Sequence, residues 1–203
     1  MTAVMVKKLD VIGTIKEGFE LWIKNVIPIG VNALLWILTC WIPYLNIGTT
    51  IGLFVGIITK LGKGETISMT EIFNPDYRKY MGEFLLTGGL MGMGIVFSGI
   101  FFFIPAIVIS LAWGLAPLLV IDKGINPVES LAKSNNCTYG NKWRIFGIYF
   151  LFNLAFIILF WLFSVITRGG GAMVFFFIIL MAAWLIGYEG IQASIYKQLT
   201  EDI

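Results

Sequence analysis

Residues 84–121 read FLLTGGLMGMGIVFSGIFFFIPAIVISLAWGLAPLLVI. The run is 38 residues long and carries no charged side chain. As one straight helix it would be ~57 Å long at about 1.5 Å per residue, nearly twice the ~30 Å hydrocarbon core of a bilayer. It must therefore fold back on itself. Pro105, near the middle, lacks the N–H that a helix interior needs and marks the expected turn. The stretch then forms two membrane-spanning helices, 84–103 and 106–121, joined as a hairpin.

The rest of the composition agrees with a bilayer environment. Of 203 residues, 58% are hydrophobic and 13% charged, and the mean hydropathy is +0.89. Soluble domains carry about 25% charged residues, so this chain has too little polar surface to be one. The length suits a single domain, 1–203. No cleavable leader is expected, because the first apolar run begins near Val26, after a charged amphipathic stretch.

Four further spans complete the reading. Residues 26–42 form the first, with Trp36, Trp41 and Tyr44 near its far end, where amphipathic rings favour the interface. After a turn at Pro43 the chain returns through 47–59, where Gly48, Gly52 and Gly56 put a smooth strip on one helix face. Such a strip serves packing within the chain or contact with a second copy. The last two spans are 143–167 and 173–190, separated by Arg168 and three glycines. Amphipathic helices are expected at 9–24, 74–82 and 126–135. The first lies on the membrane surface or packs on the rest of the protein. The other two open with Asn-Pro and an acid, a helix-start signature.

Charge sets the orientation. With six spans and the N-terminus inside, 13 of the 14 basic residues fall in cytoplasmic segments and only Arg168 lies outside. That asymmetry follows the positive-inside rule. The expected fold is all-α, about six transmembrane helices arranged as three hairpins, N-in and C-in, in the cell (inner) membrane. A recurring Glu-x-Phe/Leu at Glu17, Glu71 and Glu129 suggests three copies of a surface helix plus hairpin, or chance similarity between short motifs.

Chemistry-bearing residues are sparse. The chain has no histidine, which removes Ser-His-Asp and Cys-His nucleophiles and, with only Cys40 and Cys137, a Cys/His zinc site. Both thiols are expected free. No span core carries a charge, which counts against ion-coupled transport. The interfacial charges Glu83, Asp122 and Glu189 are the nearest functional candidates and read first as side chains reaching water. Among buried polar residues, Asn32 and Asn153 either pack between helices or line a small polar cavity. The scattered cytoplasmic basic residues are matched by acids and indicate no nucleic-acid partner.

One group of motifs looks like a known pattern: Pro117 to Gly124, then Pro127-Val128-Glu129, Ser134, Trp143 and Gly147. Pro43-Tyr44-Leu45-Asn46 and the stretch from Phe73 to Glu83 extend it over most of the chain. It resembles an uncharacterised family of prokaryotic multi-pass membrane proteins, similar to the membrane domain of glycerophosphoryl diester phosphodiesterases. The resemblance implies a six-span helical fold and no established activity. No catalytic phosphodiesterase domain is expected within these 203 residues, which lack the histidines such a site uses.

The expectation is a membrane protein without catalysis, cofactor or metal, binding membrane lipids, a protein partner or a second copy of itself. A small permease or channel is the alternative, and a lipid-headgroup enzyme working through Glu83, Asp122 or Glu189 the second alternative.

Overall fold

A computed structural model describes residues 8–167 and 172–201. It is helical, with no strand among the described residues. Among the described residues nine α-helices follow in order: α1 (Val11–Thr39), α2 (Pro43–Ile51), α3 (Ile57–Lys63), α4 (Met81–Phe101), α5 (Phe103–Trp113), α6 (Ala116–Lys123), α7 (Pro127–Thr138), α8 (Lys142–Thr167) and α9 (Ala172–Thr200). A π-helical turn, Gly52–Gly56, joins α2 to α3, so Pro43–Lys63 is one rod, and α5 and α6 follow each other as one segment, Phe103–Lys123. Taken so, six helices among the described residues are long and apolar enough to cross a membrane.

The apolar surface is divided. Large side chains of α1 beyond Ile23, of α4, of the first half of α5, of α8 and of the first part of α9 are exposed. Buried residues concentrate in α3, in α6 and in the second half of α9. So extensive an exposed apolar surface has no counterpart on soluble monomers and suits acyl chains. Helix α9 is the hub, packed by α1, α3 and α8.

Several boundaries differ from the sequence expectation. The amphipathic segment 9–24 and the span 26–42 are one continuous helix, α1. The helix runs on through Pro28, and the face carrying Ile15, Gly18 and Trp22 packs on α9. The hairpin turns at Phe102, in extended conformation (φ −158°, ψ 141°), not at Pro105. Pro105 is the third residue of α5, in the first turn, where its missing N–H costs nothing. Segment 74–82 is not an α-helix: Asn74 caps a 3-10 turn, Pro75–Arg78, by accepting from Asp76 N–H at 3.1 Å. At Asn126 the same signature does open an α-helix, with a reciprocal bond to Glu129. That helix runs three residues past the expected 126–135.

The glycine strip is used within the chain. A Cβ on Gly52 would lie 2.7 Å from Ile72 Cα, and one on Gly48 would lie 2.7 Å from Arg78 Nε. The strip therefore seats the connecting segment that carries both 3-10 turns. Lys60 (2.9 Å), Tyr77 (2.7 Å), Asn74 (3.3 Å) and Ser68 N–H (3.3 Å) hold the buried Glu71 carboxylate there. Burial pushes this carboxyl up, but those four donors outweigh it and its pKa lies below the ordinary carboxylate range.

The α5–α6 break is stitched by α7. Pro117 cannot donate a backbone bond, so carbonyls of the preceding turn need other partners. Ser134 Oγ donates to Ala112 O at 2.7 Å and accepts from Leu115 N–H at 3.2 Å. Thr138 Oγ1 also reaches Ala112 O at 3.4 Å, which explains why α7 buries Ser134 and Thr138 although it reads as polar.

Candidate functional site: a polar chamber on an apolar seam

Helices α8 and α9 lie side by side, and what lines their seam changes along its length. At one end Tyr149 and Asn153 of α8, four residues apart, face Tyr188 and Gln192 of α9, also four apart. One helical turn separates the members of each pair, so all four side chains point to one place. With Ser110 of α5 and Thr138 of α7 they line a chamber of about 390 Å³. That volume falls within the ~300–1,000 Å³ of small-molecule sites.

The chamber is organised by a short hydrogen-bond chain. Tyr149 Oη donates to Gln192 Oε1 at 2.7 Å, and Gln192 Nε2 donates to Gly114 O at 3.4 Å. Gly114 is free to accept because the helix is interrupted there. The Tyr149 and Tyr188 rings stack at 5.6 Å, and Tyr188 and Trp184 at 5.7 Å. Ser110 and Thr138 donate their hydroxyl protons to backbone carbonyls, of Ile107 at 2.8 Å and Ser134 at 2.9 Å. Among the described residues no charged side chain lines the chamber.

Further along the seam the lining becomes apolar. Phe156, Ile157 and Phe160 of α8 and Phe177, Leu180 and Met181 of α9 border a groove of about 340 Å³. Chamber and groove share Asn153. Asn153 Oδ1 accepts from Trp184 Nε1 at 3.1 Å, and Asn153 Nδ2 donates to Tyr149 O at 2.7 Å. The junction is therefore fixed by hydrogen bonds from both helices.

The residues singled out from sequence are dispersed. Asn153 lies at the centre of the seam, but Asn32 is elsewhere: fully buried in α1, it bonds the backbone of Ser68 and Ile72. Glu83 is exposed in the first turn of α4. The Asp122 carboxylate is nearly buried, bonded by Lys63 and by Tyr196 Oη (2.6 Å). Glu189 does not reach water: it is 0% exposed, and neither carboxylate oxygen has a hydrogen-bond partner among the described residues. It borders neither the chamber nor the groove. Among the described residues no group of acidic, Cys or His side chains is placed to hold a metal.

Sequence reading missed Gln192 and Tyr149. Gln192 lies beyond the apolar core of the last span, so it looked like part of a cytoplasmic extension. The available signal was the matched i, i+4 spacing of polar groups on two adjacent helices.

No protein-family model, no curated protein and no solved structure matches the chain. The family resemblance thus rests on the quoted motifs alone.

Proposed function

We propose that this is a multi-pass protein of the cell membrane that binds lipid in the α8–α9 seam and performs no catalysis of its own. The observation that carries this reading is the junction at Asn153, where an uncharged polar chamber runs into an apolar groove on the same two helices. An amphiphile has that division: a headgroup that needs hydrogen bonds and a chain that needs none. Pockets of this kind take orientation from a few polar groups and affinity from apolar walls. A permease reading gains nothing from the placement of Asn32, which is committed to backbone bonds away from the chamber. The continuation of the chamber into an apolar groove also favours a lipid over a water-soluble solute.

The reading includes three hairpins with both termini on the cytoplasmic side, supported by the distribution of basic residues. It is in keeping with the resemblance to membrane domains of unassigned activity.

Native mass spectrometry of gently extracted protein tests it. A stoichiometric lipid should survive purification and be displaced by Leu180→Trp, which fills the groove. Protein without bound lipid, or lipid held equally by the variant, would overturn the proposal.

A further inference from the structure

We infer that the chamber is built for an uncharged, hydroxyl-rich headgroup, that of a glycosyl diacylglycerol; this rests on the lipid-binding reading above. Three features of the wall select it.

The first is charge. Among the described residues no Arg, Lys, Asp or Glu lines the chamber. A phosphodiester is normally recognised by guanidinium or ammonium groups or by free N–H groups at a helix start. The nearby start of α6 has little to give: Leu115 N–H is taken by Ser134 Oγ, and Pro117 has no N–H. Burying an unpaired anion there would cost far more than burying a neutral polar group. A cationic headgroup would find no carboxylate.

The second is hydrogen-bond polarity. Ser110 and Thr138 have already donated their protons to carbonyls, so toward the chamber their oxygens accept. Asn153 Nδ2 and Gln192 Nε2 each spend one N–H on a backbone carbonyl and keep a second. The wall therefore asks for donors and offers a few. Hydroxyls supply both roles, whereas phosphate oxygens at neutral pH only accept.

The third is number. Ser110, Thr138, Asn153, Tyr188 and Gln192 surround one space. The single hydroxyl of a diacylglycerol would leave most of their remaining hydrogen-bonding capacity unused. A hexose ring carries several hydroxyls, and its acyl chain would continue along Phe156, Phe160 and Leu180.

The test is competitive native mass spectrometry on the full chain in detergent. Monogalactosyl diacylglycerol, diacylglycerol and phosphatidylglycerol are added with identical acyl chains. The galactolipid should bind about tenfold tighter than either competitor, the scale of one or two net hydrogen bonds. Gln192→Leu should remove that preference. Ser110→Ala, whose hydroxyl bonds only its own helix, should weaken it without disturbing the fold. Equal or tighter binding of phosphatidylglycerol would overturn the headgroup assignment and leave the lipid reading standing. Equal binding of diacylglycerol would overturn the sugar. A preference unchanged in both variants would place the headgroup outside the chamber. Failure of all three lipids to bind would remove the lipid reading as well.

Discussion

Asn32 Oδ1 accepts the backbone N–H of Ile72 at 3.0 Å, across forty residues of sequence. Its Nδ2 donates to Ser68 O at 2.7 Å and to Pro28 O at 2.8 Å. One side chain thus fixes a connecting segment to the middle of α1 and also satisfies a carbonyl of its own helix. Every polar atom of the amide is used, which is what burial without water requires.

Removing it should be costly. Asn32→Leu leaves Ile72 N–H without its partner and Ser68 O with only the longer bond from Glu71 N–H (3.3 Å), a loss of about 1–3 kcal/mol. Thermal unfolding in detergent should show a clearly lowered midpoint, while lipid stoichiometry in the folded fraction stays unchanged. A wild-type midpoint would mean the segment is held by the glycine strip alone.

Glu71 predicts an acid-dependent stability. Its pKa is depressed in the folded protein, so the stabilisation is fully present above the ordinary Glu value of 4.5. It is lost as pH falls from there through the depressed folded value. Unfolding midpoints measured from pH 7 downward should fall more steeply in the wild type than in Glu71→Gln. Parallel curves would show that the carboxylate contributes nothing through its charge.

Ser134 and Ser130 offer a matched comparison. Both hydroxyls are buried in α7, but Ser130 bonds only Pro127 O in its own helix. Ser134→Ala leaves Leu115 N–H without its partner and Ala112 O with only the long bond from Thr138 Oγ1 (3.4 Å), and should destabilise by about 1–3 kcal/mol; Ser130→Ala should cost less than ~1 kcal/mol. Equal effects would mean that water or a backbone shift repairs the break.

The proposed orientation predicts opposite labelling at two exposed positions. In a background with Cys40 and Cys137 replaced, Phe102→Cys at the hairpin tip should react in intact cells with a membrane-impermeant maleimide. Val128→Cys at the start of α7 should react only after permeabilisation. The reverse pattern would invert the topology.

What could be read in advance follows the range of each interaction. The 84–121 run and the Asn126 cap depend on neighbours in sequence, so hydropathy and capping chemistry identify them. The turn was misplaced by three residues because proline is tolerated both at a break and in a first helical turn, and only packing decides between Phe102 and Pro105. The 3-10 turn at Asn74 shares its opening signature with α7, and the contact of Tyr77 with Glu71 is what distinguishes them. Asn153 could be named as a buried amide, but its partner Trp184 and the Gln192 that lines the same chamber belong to another helix. The separation of Asn32 from Asn153 was equally invisible, since a lone amide in an apolar run does not disclose which face it occupies.

The close approach of Gly18 to α9 has a temporal meaning. A Cβ at Gly18 would lie 2.8 Å from Ile191 Cα, and Gly190 sits against the backbone of Gly18 and Trp22. Beside it, Glu17 receives bonds from Ser194, Lys197 and Gln198. Helix α1 is therefore synthesised well before α9, its principal mate among the described helices. Until α9 is delivered, the face of α1 around Gly18 has nothing to cover it. A stop codon ahead of Gly190 would leave that face bare however well the intervening helices had inserted.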